Sequence, residues 1–408
     1  MEEKKEIYGT AVDVIRGETR PNKYGFKAFE VDIVPRINPG ASHRNCHLNC
    51  EGCYQALSGE MISLKKFNSL LREAMELKLG GCYLLGGEPT RHDNFFEIMA
   101  AIANTDLAEK ILVSNCVDFS DIIFLEKLLN RGDFSDWLLV TKRWVLGNSL
   151  KEKTAFEKTA HQKGFFEKVQ KAWANIMRYW PGKICLQACI TEPLLDYIPE
   201  VYEWGIRQEK IVKVSIEMVR QGQGRRRSFP FGKKQKQDVS PEQLLGLFQK
   251  LTQIDRMHGI KNDNLIRAFC SPGYKLVCTL PFETLHINST GDVIPCGGSP
   301  ASYGNIHAQT LEEIMKSPKV SFFQSPKKWL VGPCSDCPEI DYCLGGCRGE
   351  AFRAFHEYGI NCYRASNPYC VAHLLNGGAP RDYRRWVPSS CNGCPLKHEP
   401  TCHLSQSR

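Results

Sequence analysis

The stretch Cys46-His47-Leu48-Asn49-Cys50-Glu51-Gly52-Cys53 places three cysteines at the spacing C-x3-C-x2-C, in the loop that follows a short β-type run at 29–34. Three cysteines this close together can bind three irons of a [4Fe–4S] cube and leave the fourth iron open. An open coordination position distinguishes a reactive metal site from a structural one. A zinc site with His43 or His47 as the fourth ligand is the alternative. The stretch therefore predicts a metal centre, and the rest of the chain must indicate which kind.

The chain around this stretch alternates between short β-type runs and amphipathic helical patterns. Six strands are expected, at 29–34, 82–87, 110–115, 136–142, 183–191 and 211–219. Each run is rich in apolar residues and is followed by a helical pattern, such as the 3-and-4 spacing of apolar residues at 64–79. Six such units predict a parallel sheet with right-handed crossovers, in an α/β fold of the partial (β/α)6 TIM-barrel type. In such folds the reactive groups gather at the C-terminal ends of the strands.

Two further motifs stand at the ends of predicted strands. Gly86-Gly87-Glu88-Pro89 ends the second strand, and Ser114-Asn115 ends the third. The 32 residues between Cys53 and Gly86 hold one predicted helix, so both groups belong to one βα unit and lie at the same end of the barrel. Glycines let the backbone approach a ligand closely, and Glu88 is an anionic acceptor suited to an ammonium group. A plain strand-end turn is the alternative for Ser114 and Asn115.

The three motifs together resemble the radical S-adenosylmethionine (SAM) superfamily. The resemblance implies that Cys46, Cys50 and Cys53 hold a [4Fe–4S] cluster whose open iron binds SAM. One electron then cleaves SAM to a 5′-deoxyadenosyl radical that abstracts hydrogen from a substrate. It also implies that residues 86–89 bind the SAM amino group and that Ser114 and Asn115 contact SAM. One departure is Gly52, where the family usually has an aromatic residue; Tyr54 stands just after the third cysteine instead.

The second half of the chain holds most of the cysteines. Twelve of the 19 cysteines lie between Cys270 and Cys402. Cys278 is followed by twelve residues, Gly291, four more residues and Cys296. Next come Cys334-x2-Cys337-x5-Cys343-x3-Cys347 and then Cys370. This order of spacings resembles the SPASM domain, which follows many radical SAM barrels and binds two auxiliary [4Fe–4S] clusters.

The resemblance to SPASM implies two sets of ligands. The first auxiliary cluster would be bound by Cys278, Cys296 and Cys347, with Cys270 as the fourth ligand. The second would be bound by Cys334, Cys337, Cys343 and Cys370. A zinc ribbon is an alternative for residues 334–347 taken alone, but it leaves Cys278 and Cys296 unexplained.

Eight cysteines remain outside these assignments. Four of them lie in apolar runs and are expected to be small core residues: Cys82, Cys116, Cys185 and Cys189. The others are Cys362, Cys391, Cys394 and Cys402, with His398 and His403 near the last three. A third auxiliary cluster or a zinc site at Cys391, Cys394 and Cys402 is one reading, and a reduced tail without metal is the other.

The composition and sequence patterns along the chain predict four segments. Residues 1–28 form an N-terminal extension whose run 8–14 pairs with 27–34 as a hairpin. Residues 29–262 form the barrel, residues 263–375 the SPASM domain and residues 376–408 a cysteine-containing tail. After about residue 262, glycine, proline and cysteine become dense, so we expect little apolar core there and bound metal to supply the missing stability.

Composition restricts the class of protein. The 408 residues contain no apolar run long enough for a membrane span, and residues 1–6 are too polar for a secretory signal. A cytoplasmic protein with reduced cysteines is expected, with no membrane partner. The net charge of +8 falls to roughly +3 once three clusters with thiolate ligands are counted, so bulk charge does not predict a nucleic-acid partner. The basic segment 220–236 either binds an acidic peptide or carboxylate substrate or is a solvated loop.

The resemblance favours post-translational modification of a peptide or protein, as in maturases of ribosomally made peptides. A small-molecule substrate, such as a tetrapyrrole, a sugar or a cofactor precursor, is the alternative, and a non-catalytic iron–sulfur or zinc protein is a third reading.

Sulfatase-maturing members carry an Asp base after the cysteine equivalent to Cys296, where this chain has Gly297. Formylglycine formation is therefore disfavoured unless Asp292 or another acid substitutes. The 45 residues before Cys46 are too few for a leader-binding domain. An electron donor such as ferredoxin or flavodoxin is expected.

Overall fold

The computed structural model describes most of the first two thirds of the chain and parts of the last third. The described residues are 21–35, 45–50, 53, 60–218, 239, 241–260, 283–297, 299, 301–338, 340, 344–346, 348–354, 362–367, 386–390 and 394–396.

One sheet of nine strands organises the part of the chain that the structure describes. The strands are β1 (Ala28–Asp32), β2 (Gly81–Leu85), β3 (Glu109–Ser114), β4 (Trp137–Lys142), β5 (Lys183–Ile190), β6 (Ile211–Met218), β7 (Thr284–Ile287), β8 (Asp292–Ile294) and β9 (Gly304–Asn305). Their order is β6-β5-β4-β3-β2-β1-β7-β8-β9. Neighbouring strands from β6 to β1 pair in parallel. The predicted α/β fold with six sequential parallel strands is confirmed, and each strand lies within about two residues of its expected position.

Helices connect the parallel strands as amphipathic crossovers. They are α1 (Leu64–Glu76), α2 (Phe95–Ala103), α3 (Ile122–Leu129), α4 (Leu150–Ala160), α5 (Phe166–Tyr179), α6 (Ile198–Arg207) and α7 (Pro241–Met257). The first of them begins where the side chain of Ser63 accepts a hydrogen bond from the backbone N–H of Lys66. Its apolar stripe at Phe67, Leu70 and Ala74 is buried, as the 3-and-4 spacing predicts.

The segment between β4 and β5 contains two helices instead of one. The additional helix, α4, begins at a capping box formed by Ser149 and Glu152. Its last residue, Ala160, accepts a hydrogen bond from the backbone N–H of Asn49, at 2.9 Å. The extra length of this crossover therefore supports the loop that carries the first three cysteines.

Alternation along the strands separates two apolar layers. The smaller layer lies on the inner face of the curved sheet and consists of Ala28, Tyr83, Leu85, Ile111, Leu138, Val140 and Cys185. The larger layer lies between the sheet and the helices. Cys82, Cys116, Cys185 and Cys189 are buried, in agreement with their expected place in the core.

The sheet continues past the six expected strands. β7 pairs in parallel with the free edge of β1, and β8 and β9 follow in antiparallel order. Gly291 turns the chain between β7 and β8 with φ of +82°, and a Cβ there would lie 2.5 Å from the ring of His307. The sequence prediction missed these strands because they span only two to four residues, too short for a periodic pattern.

The C-terminal third also has an apolar core, so the expectation of a core-poor region was wrong. Two short helices, α8 (Leu311–Met315) and α9 (Pro318–Gln324), bury Leu311, Ile314 and Phe323 in the main apolar layer. A last helix, α10 (Arg348–Ala354), follows. The apolar residues were overlooked because glycine, proline and cysteine surround them.

Some expectations fall on residues outside the described ranges. These are the hairpin strand at 8–14, the basic segment 220–236 and most of the tail 376–408. Among the described helices, none is both long and apolar enough to cross a membrane.

Candidate active site at the barrel mouth

The loop after β1 carries the three cysteines of the first motif. We call the C-terminal ends of β1 to β6 and the loops that follow them the barrel mouth. Cys46, Cys50 and Cys53 are half-buried there. The backbone N–H of Cys53 donates to the carbonyl of Cys50 at 3.1 Å, which closes a turn over the last two cysteines. The three thiols are within electrostatic range of one another.

Asn115 joins the end of β3 to this loop. Its side-chain amide donates a hydrogen bond to the Cys46 sulfur, with Nδ2 3.4 Å from Sγ. Its Oδ1 accepts from the backbone N–H of Val117 at 2.9 Å, which fixes the orientation of the amide. The first motif and the Ser114-Asn115 motif, 69 residues apart at this contact, therefore meet at the barrel mouth.

The two glycines at the end of β2 lie directly against the backbone after β1. Gly86 has φ of +145°, and a Cβ there would lie 2.8 Å from the carbonyl oxygen of Val34. The backbone N–H of Gly87 donates to that same oxygen at 2.7 Å. Only glycine permits this approach at position 86.

Glu88 is almost fully buried, and its carboxylate is bound by the chain itself. Oε1 accepts from the hydroxyls of Ser114 at 2.6 Å and Thr90 at 3.0 Å. Oε2 accepts from the backbone N–H of Asn115 at 2.8 Å. Burial raises the pKa of Glu88, against the hydrogen bonds from Ser114 and Asn115 that lower it. Through these bonds Glu88 joins the ends of β2 and β3.

A second carboxylate, Asp118, extends this network. The Thr90 hydroxyl lies 2.6 Å from Asp118 Oδ2, and His47 Nε2 lies 3.1 Å from Oδ1. Burial works against ionisation of Asp118, but the hydrogen bonds from His47 and Thr90 outweigh it, and its pKa lies below the usual value. His47 Nδ1 is buried and has no hydrogen-bond partner in the described residues. Sequence reasoning missed Asp118 and Thr90; their only signal was their place one to three residues beyond the two strand-end motifs.

The residues at the mouth fit a cluster with an open iron. Burial raises the pKa of the Cys46 thiol, and the nearby Glu88, Cys50 and Cys53 raise it further. A thiolate at this position needs a cation beside it, which bound iron provides. Across the described ranges, no three His, Cys, Asp or Glu side chains are placed to hold one metal ion. A [4Fe–4S] cube differs from such a site because each of its cysteines binds a separate iron.

Three of the expected auxiliary ligands lie in described segments. Cys296 follows β8 and is half-buried, while Cys334 and Cys337 lie in a turn after α9. The backbone N–H of Cys334 donates to the hydroxyl of Ser366 at 2.9 Å. The other expected ligands, Cys270, Cys278, Cys343, Cys347 and Cys370, lie outside the described residues, as do Cys391 and Cys402. Cys362 and Cys394 are buried.

A buried ion cluster connects the barrel to the β7–β8 hairpin. His286 on β7 bonds the carboxylates of Glu30 and Asp32 on β1, through Nδ1 to Glu30 and through Nε2 to Asp32. Burial opposes charge on the ring, but the two carboxylates outweigh it and raise the pKa of His286 to about 10. The imidazole is therefore a cation at neutral pH and holds two carboxylates inside the barrel.

Comparison with known proteins matches both parts of the chain. Residues 278–338 match the SPASM iron–sulfur cluster-binding domain. A segment of 75 residues, 17% of this chain, is 32% identical to the PqqA peptide cyclase of Methylocella silvestris and spans only 20% of that relative's length.

Two solved structures are similar over most of the fold. One is anSMEcpe with bound AdoMet and the Kp18Cys peptide. It is 17% identical, the match covers 79% of this chain and 90% of that chain, and the TM-score is 0.58. The other is SuiB of Streptococcus suis bound to S-adenosylmethionine. It is 18% identical, the match covers 81% of this chain and 75% of that chain, and the TM-score is 0.55. The chain thus contains a segment that matches the SPASM iron–sulfur cluster-binding domain and shares the α/β fold of these two SAM-bound structures.

Proposed function

We propose that the chain is an enzyme that reductively cleaves SAM at a [4Fe–4S] cluster bound by Cys46, Cys50 and Cys53. The observation that carries this proposal is the hydrogen bond from Asn115 to Cys46. It brings the cysteine loop to the end of β3, which Glu88 joins to the end of β2. The residues implied by the family resemblance therefore converge from three separate strand ends.

The bound cluster would deliver one electron to SAM and generate a radical that abstracts hydrogen from the substrate. The chain's own residues prepare the site for this. Gly86 and Gly87 let the end of β2 lie directly against the backbone of Val34, after β1. Glu88 orients Ser114 and the backbone of Asn115, so that the Asn115 amide remains directed at the Cys46 sulfur. We assign SAM contacts to residues 86–89, Ser114 and Asn115; Glu88 also holds Ser114 and the backbone of Asn115 in place.

The auxiliary clusters are assigned to the SPASM segment. We propose Cys270, Cys278, Cys296 and Cys347 for one cluster and Cys334, Cys337, Cys343 and Cys370 for the other. The match of residues 278–338 to an iron–sulfur domain supports this assignment. The place of Cys296 after β8 also supports it, because the hairpin is hydrogen-bonded to the barrel through β7 and β1.

For the substrate we favour a peptide or protein. The likeness to a peptide cyclase and to a structure with a bound peptide supports this choice. A small molecule remains the second candidate. Formylglycine chemistry is disfavoured, because Gly297 supplies no base and both oxygens of Asp292 accept hydrogen bonds, from Thr290 and Asn305. We place the reaction in the cytoplasm, where thiols stay reduced and ferredoxin or flavodoxin can supply the electron.

Anaerobic reconstitution followed by incubation with SAM and dithionite tests the cleavage reaction. We expect about 11–12 iron per chain and release of 5′-deoxyadenosine. Changing Cys46, Cys50 and Cys53 together to Ala should leave about two clusters and abolish the release, whereas Cys82→Ala, in the core of β2, should retain it. No release from the fully loaded protein would refute the proposed activity, and release by the triple variant would refute the site.

The substrate class is tested separately. A short peptide encoded beside this gene, incubated with the loaded enzyme and SAM, should lose hydrogen in a new cross-link that mass spectrometry locates. The loaded triple cysteine variant is the control. An unmodified peptide together with SAM consumption driven by a small molecule would select the alternative substrate.

A further inference from the structure

Tyr303 is a buried residue whose hydroxyl has no hydrogen-bond partner in the described part of the chain. Buried hydroxyls are normally paired, and leaving one unpaired costs its full desolvation. Its backbone N–H donates to the carbonyl of Val293 in β8, at 2.7 Å. Tyr303 therefore lies beside the strand that leads, three residues later, to Cys296.

Cys296, three residues beyond Val293, acts electrostatically on the Tyr303 hydroxyl. After burial, Cys296 is the strongest of the influences that raise the pKa of Tyr303 well above its usual value. The Tyr303 ring packs edge-on against Phe323, with centroids 5.7 Å apart, so it cannot turn outward to water. The buried hydroxyl is thus held within electrostatic range of an expected cluster ligand.

Tyr363 provides a contrast within the same aromatic group. It also packs against Phe323, with ring centroids 5.0 Å apart. Its hydroxyl, however, lies 2.6 Å from Ser299 Oγ and accepts a hydrogen bond from the backbone N–H of Ala301 at 3.2 Å. Of these two neighbouring tyrosines, one has its hydroxyl satisfied by the chain and the other does not.

We propose that the Tyr303 hydroxyl donates a hydrogen bond to a sulfur of the auxiliary cluster that Cys296 binds, and that this bond raises the cluster's reduction potential. The inference rests on the proposed function. A hydrogen bond to sulfur stabilises the reduced cluster more than the oxidised one, because the reduced cluster carries one more negative charge. Tyr303 is a tuning residue here and has no contact with the substrate.

The test is a potentiometric titration, followed by electron paramagnetic resonance, of the full-length chain. Cys46, Cys50 and Cys53 are replaced by Ala throughout, so that only auxiliary clusters contribute. In this background Cys296→Ala identifies the signal that depends on Cys296. We expect Tyr303→Phe to shift the potential of that signal downward, to leave the other auxiliary signal in place and to keep the iron content unchanged.

Tyr363→Phe is the matched control and should leave both potentials unchanged. An unchanged potential in Tyr303→Phe with full iron content would overturn the inference and leave the proposed function standing. So would an equal shift in Tyr363→Phe. An iron content that Cys296→Ala does not alter would overturn the auxiliary-cluster assignment, and the role of Tyr303 with it.

Discussion

The strand that leads to Glu88 and the strand that leads to Cys296 lie on opposite edges of β1. β2, which leads to Gly86 and Glu88, pairs with one edge of β1, and β7, which leads to Cys296, pairs with the other. Carboxylates are buried along both edges, but their hydrogen-bond partners differ. On the β2 side, hydroxyl and amide groups bind Glu88, whereas on the β7 side the cation of His286 binds Glu30 and Asp32.

This difference separates two tasks. Among the described residues, the groups that hydrogen-bond the Glu88 carboxylate are uncharged hydroxyl and amide donors, so this side depends on their placement. The charged triad attaches the β7–β8 hairpin to the barrel, because removal of the cation would leave two carboxylates buried together. We therefore expect the β7 edge to be strongly pH-dependent and the β2 edge to be sensitive to shape.

Removing the cation should give the largest effect on stability. His286→Gln removes the cation that Glu30 and Asp32 share and should lower the free energy of unfolding by about 3 kcal/mol or more. Urea unfolding followed by circular dichroism measures this. His258→Gln is the control, because its partner Glu203 is partly exposed, and should cost no more than about 1 kcal/mol. Equal losses in the two variants would contradict the proposed attachment.

The pH dependence of stability should follow His286. The pKa of His286 is about 10 in the folded chain, whereas the ordinary pKa of a histidine is 6.5. Its contribution is therefore complete below pH 6.5 and is lost as the pH rises through about 10. Within this window the free energy of unfolding should fall by up to about 1.4 kcal/mol per pH unit from this group. His286→Gln should remove that part of the slope, and an unchanged slope would refute the assignment.

On the β2 edge, shape should matter more than charge. Gly86→Ala forces a Cβ against Val34 at a φ of +145°, whereas Gly164→Ala meets a milder positive φ of +83° and nothing within 4 Å of its Cβ. Gly86→Ala should be about 2 kcal/mol more destabilising than Gly164→Ala and should weaken SAM binding. Denaturation and equilibrium binding of SAM check the two parts. Equal effects of the two changes would show that the close approach to Val34 is unimportant.

The smallest expected effect concerns one hydrogen bond. Ser114→Ala removes a donor to the buried Glu88 carboxylate and leaves the bonds from Thr90 and Asn115. A loss of about 1 kcal/mol in stability is expected, with a higher pKa for Glu88 that infrared spectroscopy can follow. An unchanged Glu88 pKa would indicate that Ser114 does not hold this carboxylate.

The sequence predicted the β2 edge better than the β7 edge for a physical reason. The six long strands and their helices leave periodic patterns, and the motifs at 46–53, 86–89 and 114–115 each lie within one local segment. The triad of Glu30, Asp32 and His286 spans 256 residues, and only the fold brings it together. One signal was available: Glu30 and Asp32 alternate in an otherwise apolar strand, so both must face inward and require a partner. Asp118 and Thr90 carried no comparable pattern.

The central claim is that SAM binds at the cluster of Cys46, Cys50 and Cys53 and at no auxiliary cluster. Electron paramagnetic resonance of the dithionite-reduced protein, with and without SAM, tests it directly. SAM should alter part of the reduced signal in the unmodified chain and in Cys296→Ala, and should alter nothing when Cys46, Cys50 and Cys53 are all Ala. A SAM-dependent change that persists in the triple variant, or is absent from the fully loaded unmodified chain, would contradict the claim.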